Sequence, residues 1–108
     1  VTYYHVTRTW DGGDLLSLAD QIGEKAAIRQ FCKQWPDACE IADVHVHYIH
    51  LWDSIRDARR MARYFGGRVL AIDGEFIDVT MDTSEPNHPH YVTRGPIPAT
   101  DITELTAR

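Results

Sequence analysis

Tyr3-Tyr4-His5-Val6-Thr7 is crowded with aromatic and β-branched residues, so a strand is expected here with a histidine at its centre. Asp11-Gly12-Gly13 ends it. Leu15, Leu16, Leu18, Ala19 and Ile22 then recur at helical spacing, with Asp14 placed as N-cap and Gly23 as stop. A second helix is expected from about Glu24 to Gln34, with Ala27, Ile28, Phe31 and Trp35 as its apolar side. Pro36 follows as a break or as the first residue of a short helix through Ala42.

Val44-His45-Val46-His47-Tyr48-Ile49-His50 reads as a second strand, with residues 44, 46, 48 and 50 on one face and 45, 47 and 49 on the other. Asp53 or Ser54 caps the next predicted helix, whose apolar side is Ile55, Ala58, Met61, Ala62 and Phe65, and Gly66-Gly67 closes it. Val69 to Ile72, within the apolar segment Arg68 to Asp73, reads as a central strand, Asp73-Gly74 as a tight turn and Phe76 to Met81 as the hairpin partner. Asp82 to His90 holds two prolines and several turn formers and reads as an irregular loop, followed by short strands near Tyr91 to Thr93 and Asp101 to Leu105. This order predicts an α+β fold: helices early, then a bent, mostly antiparallel pair of small sheets.

A chain of 108 residues fits a single domain, residues 1–108, because smaller pieces would bury too little surface to fold unaided. Its 44% hydrophobic and 25% charged residues are those of a packed globule and not of a disordered chain. No apolar run approaches the roughly 20 residues of a membrane span, and no basic segment precedes an apolar one near the start. A cytoplasmic protein without a membrane partner is the expectation. The net charge of −5 argues against phosphate-backbone binding as the main task, without excluding a nucleic acid as substrate. Arg56, Arg59, Arg60 and Arg63 nonetheless fall on one helical face. That face reads either as a solvated surface or as an anion-binding stripe.

Cys32 and Cys39 flank Pro36 without CxxC spacing and are expected as two thiols in a reducing compartment. His45 with His47, and His88 with His90, form His-x-His pairs of the type that ligates transition metals. Neither pair has the further Cys, His or carboxylate that a zinc site needs at a defined spacing, so no metal is expected. There is no Gly-x-Ser-x-Gly elbow, no GxGxxG and no GxxxxGK[ST], which sets aside the common hydrolase, Rossmann and P-loop readings.

The succession of a His-x-Thr strand, His5 to Thr7, a strand bearing Tyr48, the helix Ile55-Arg56-Asp57-Ala58-Arg59-Arg60-Met61-Ala62 and the strand Val69-Leu70-Ala71-Ile72-Asp73 resembles the small ADP-ribosyltransferases, notably the compact rifamycin-modifying enzymes and related toxins. The resemblance implies NAD as co-substrate and an acceptor of unidentified class: protein, nucleic acid or small molecule. A toxin or a phage or host-defence effector is the implied setting. His5, Thr7, Tyr48 and His50 are the implied NAD contacts, with His50 standing where many members carry Ser or Thr. His5 would hold a ribose and Tyr48 would stack on nicotinamide, their side chains converging on one cleft. Asp78 is the implied catalytic acid, with Asp82 next and Glu85 also in range. A non-enzymatic binding or inhibitory module of the same fold, and a His-rich metal protein, are the alternatives.

Overall fold

The computed structural model describes residues 1–74, 80–82 and 90–105. Strand β1 (Thr2–Thr7) pairs antiparallel with β3 (Arg68–Asp73), which pairs antiparallel with β6 (Ile102–Leu105) on its other edge. A second antiparallel sheet has the order β2 (Ile49–Leu51), β5 (His90–Thr93), β4 (Thr80–Asp82). Helices α1 (Leu18–Ile22), α2 (Glu24–Gln34) and α3 (Ala42–His45) lie between β1 and β2 in the chain, and α4 (Ile55–Phe65) links β2 to β3. The α+β class with two small antiparallel sheets is as expected.

The core lies on the inner face of the first sheet. Leu70 and Ile72 of β3 and Ile102 of β6 pack with Ile49 and Leu51 of β2 and with Leu15 and Ile97, all buried. Alternation along β3 sends Val69 to the opposite face, where it packs with Val6, Ala58 and Ala62 beneath α4. The two alanines have no side chain beyond Cβ, so α4 can lie close to β1 and β3 at that contact. Ala19, Ala27, Phe31, Ala42 and Val46 form a separate cluster within the α1–α3 layer.

Several expectations require correction. Residues 44–48 are not strand: Ala42 to His45 is helical, and the Val46 N–H reaches the Ala42 carbonyl at 3.1 Å. The valine and histidine alternation fits period two, but Ala42 and Val46 also fit the helical i, i+4 period, and their packing near Ala27 and Phe31 decides for the helix. The first helix starts at Leu18 with Ser17 as its cap, and Asp14 instead accepts the Ala99 N–H at 2.9 Å. Thr80 to Asp82 is not the hairpin partner of β3, because β1 and β6 already occupy both edges of that strand; the segment pairs with β5 instead. Cys32 and Cys39 form a disulfide, with Cα atoms 4.5 Å apart, rather than two thiols. The backbone reversal at Trp35 folds the 3-10 turn Pro36–Ile41 back on the end of α2 and brings the cysteines together. Among the described residues no helix is long and apolar enough to cross a membrane.

Gly66 and Gly95 both hold positive φ, 73° and 72°, which L side chains rarely adopt. At Gly66 a Cβ would meet nothing within 4 Å, whereas at Gly95 it would stand 2.6 Å from Cδ1 of the buried Ile49. Gly66→Ala is expected to cost about 1–2 kcal/mol, the conformational penalty alone. Gly95→Ala adds an overpacking cost of about 1–3 kcal/mol. Urea unfolding midpoints measure the difference, and equal losses would contradict the packing described at Ile49.

Candidate functional site

Strands β1 and β2 meet at one point. Tyr4 and Trp52 exchange both backbone hydrogen bonds, each at 2.8 Å, in an isolated antiparallel bridge. An antiparallel ladder continued from there would place its next hydrogen-bonded pair at Val6 and His50. It stops instead, and the His50 carbonyl accepts a hydrogen bond from Nδ1–H of His5 at 2.7 Å. A side chain thus occupies the acceptor that the next hydrogen-bonded rung would use, at the fork where backbone pairing between the strands ends. Thr7 lies on one arm of the fork, and Tyr48 lies just before β2 on the other.

His5 is opposite Leu70 in the β1–β3 register, so its ring points to the inner face of the sheet, as does that of Tyr3 opposite Ile72. The ring is half-buried. Burial pushes its pKa below the ordinary 6.5, outweighing the His50 carbonyl, which favours the protonated form. A carbonyl can only accept, so the neutral ring carries its proton on Nδ1 and presents an unprotonated Nε2.

His50 contributes through its backbone. Its side chain points away from the core that holds Ile49 and Leu51. The imidazole stacks on His45 with ring centres 3.6 Å apart, and Phe31 lies 4.6 Å beyond His45. His50 Nε2–H donates to the His45 carbonyl at 3.1 Å. The His-x-His pair of His45 and His47 is therefore divided, because His47 turns to Glu24 at 3.0 Å. Among the described residues no group of three or more His, Cys, Asp or Glu side chains could hold a metal ion.

Tyr48 is half-buried and faces Arg94, whose guanidinium stands 5.3 Å from the ring centre and donates to the phenol oxygen at 3.4 Å. Arg94 directly follows Thr93, the register partner of Ile49, which places a cation at the Tyr48 arm. Nothing in the local sequence marks Arg94; only the β2–β5 pairing brings it to Tyr48.

On the other arm Thr7 borders a cavity of about 100 Å³, together with Thr9, Trp10, Asp11, Leu15 and Gln21. Local bonds hold its wall. Thr7 Oγ1 accepts the Thr9 N–H at 3.2 Å, Trp10 Nε1–H donates to the Gly13 carbonyl at 2.7 Å, and Asp11 accepts the Gly13 N–H at 2.9 Å. Of the NAD contacts implied by the resemblance, His5 and His50 touch, while Thr7 and Tyr48 stand on opposite arms. Asp82 ends β4, opposite His90 in the second sheet. Asp78, Glu85 and His88 lie outside the described residues. No protein-family model, characterised relative or solved structure matches the chain.

Because His5 is held neutral when folded, the unfolded chain binds its proton more readily. The His5 contribution to stability is then complete above the unfolded pKa near 6.5 and is lost as pH falls below it. Thermal unfolding at pH 7.5 and at pH 5 is expected to show a fall in Tm on acidification. That fall should be smaller in His5→Gln, which keeps an N–H donor without titrating; an identical fall in both proteins would contradict the assignment.

Proposed function

We propose that the chain is an NAD-dependent ADP-ribosyltransferase with an ADP-ribosyltransferase-like fold. The observation that carries this reading is the fork between β1 and β2 with neutral His5 tied into its base by the His50 carbonyl. Breaking the nicotinamide glycosidic bond develops positive charge on the ribose, and an enzyme for that step must hold the dinucleotide in a defined pose before charge appears. With Nδ1–H anchored, Nε2 of His5 accepts a hydrogen bond from a ribose hydroxyl. Tyr48 stacks on nicotinamide, and Arg94 beside it offers a guanidinium to the pyrophosphate. The cavity next to Thr7, about 100 Å³, is smaller than the roughly 300–1,000 Å³ of sites that enclose a whole ligand. It takes one ring at most, so the dinucleotide lies along the fork with its remainder outside the cavity.

Asp78, with Asp82 as the second choice, supplies the carboxylate that supports the oxocarbenium-like state. The acceptor is a protein, nucleic acid or small molecule. The Cys32–Cys39 disulfide suits passage through an oxidising compartment. That fits an exported toxin or other effector better than the cytoplasmic residence expected from the sequence.

Nicotinamide release from NAD, with and without cell extract as a source of acceptor, tests this reading. The wild-type chain is expected to release nicotinamide, and His5→Ala to bind NAD about tenfold more weakly, the equivalent of one lost hydrogen bond. Asp78→Ala should lower turnover by roughly 10²-fold or more while leaving affinity intact, because its interaction forms only as the bond breaks. Loss of turnover in Asp82→Ala instead would move the acid to that position. NAD binding without release under either condition would leave a non-catalytic binding module, and absence of both binding and release would end the NAD reading.

A further inference from the structure

We propose that the outer face of α4 binds single-stranded nucleic acid. Ala58 and Ala62 turn inward to the Val6 and Val69 cluster, leaving Arg56, Arg59, Arg60 and Arg63 exposed on the opposite side. At 100° per residue the four arginines fall within an arc of about 100°, and they span about 10 Å of helix axis. None forms an ion pair among the described residues, although Asp53 and Asp57 stand in the same stretch. Arg56 with Arg60, and Arg59 with Arg63, are like-charge i, i+4 pairs, an arrangement that weakens a helix in isolation. An ordinary solvated helix face alternates the two signs. This one concentrates positive charge in a chain whose net charge is −5, and a polyanion laid along it would relieve the repulsion.

The aromatic groups beside the stripe select among polyanions. Tyr64 follows Arg60 by one helical turn, is 75% exposed, and stacks on Trp35 with ring planes 14° apart and centres 6.2 Å apart. The Tyr64–Trp35 pair forms a braced aromatic surface next to a row of guanidinium groups, the combination on which unpaired bases stack while phosphates are neutralised. A membrane surface fits less well, because Ala58, Met61 and Ala62 pack against the protein and Tyr64 is the one largely exposed apolar side chain among those described on α4. The surface lies on the side of α4 away from β1, so the proposal stands apart from the transferase reading.

The test is fluorescence anisotropy with short labelled oligothymidylate and oligouridylate, titrated with salt. Binding is expected with log K falling against log salt at a slope of about −3, the value for four phosphates on a single strand. Replacing all four arginines with glutamine, a comparable helix former, should abolish binding without loss of helicity by circular dichroism. The double variant R59Q/R63Q should remove about half the slope, and R59K/R63K should restore it. Tyr64→Ala should weaken binding by about tenfold with the slope unchanged, because stacking releases no counterions. The proposal is overturned by absence of binding at low salt, by a quadruple variant that binds like wild type, or by a Tyr64→Ala variant of unchanged affinity. Capture by phosphatidylserine vesicles without oligonucleotide binding would also overturn it, assigning the face to a membrane. DNA and RNA arms that differ identify which strand the surface prefers.

Discussion

The reciprocal backbone bonds between Tyr4 and Trp52 are the constraint on which the candidate site depends. They bring one end of β2 beside β1, so the two three-stranded sheets share an edge at a single point. Were the ladder to run on, the His50 carbonyl would be spent on a backbone N–H and the strands would close. Because the ladder stops, the carbonyl is left for the His5 imidazole, which replaces the missing rung and fixes its own tautomer in doing so. A buried carbonyl must find a donor, and the donor here is a side chain with chemistry of its own.

The same interaction explains why His50 serves mainly through its main chain. β2 is short, and its flanking residues Ile49 and Leu51 must point into the core with Leu70 and Ile72. Alternation then turns the His50 ring to the other face, into the stack with His45 and Phe31. That stack connects β2 to α2 and α3, so the helical layer helps to hold the strand whose carbonyl orients His5. Helix α4 is divided in a comparable way, with alanines against β1 and β3 and arginines toward solvent.

Where a local signal and a tertiary contact agreed, the sequence reading matched the structure. α2 runs from Glu24 to Gln34 as read, Ser54 caps α4 by accepting the Asp57 N–H at 3.3 Å, and Gly66 ends it in the left-handed region. Where two periods fitted the same residues, local pattern failed. Val44 to Tyr48 alternates like a strand, yet packing of Ala42 and Val46 in the cluster of Ala27 and Phe31 holds its first part in a helical turn. The hairpin expected after Asp73 failed for a different reason, since a turn signal says nothing about whether the edge of the preceding strand is already taken.

Sequence by itself determined the strand character of Tyr3 to Thr7, the extents of α2 and α4, the α+β class and the arginine face, because each follows from residue type and spacing along a few turns of chain. His5 was legible as a polar residue in an apolar strand, but its role was not. The tertiary structure decided that its partner is the His50 carbonyl, 45 residues away, that Arg94 meets Tyr48, and that Cys32 and Cys39 are joined. These contacts depend on which strand edges pair and where the chain reverses. Long-range hydrogen bonding and burial settle those choices together, and no local window contains them.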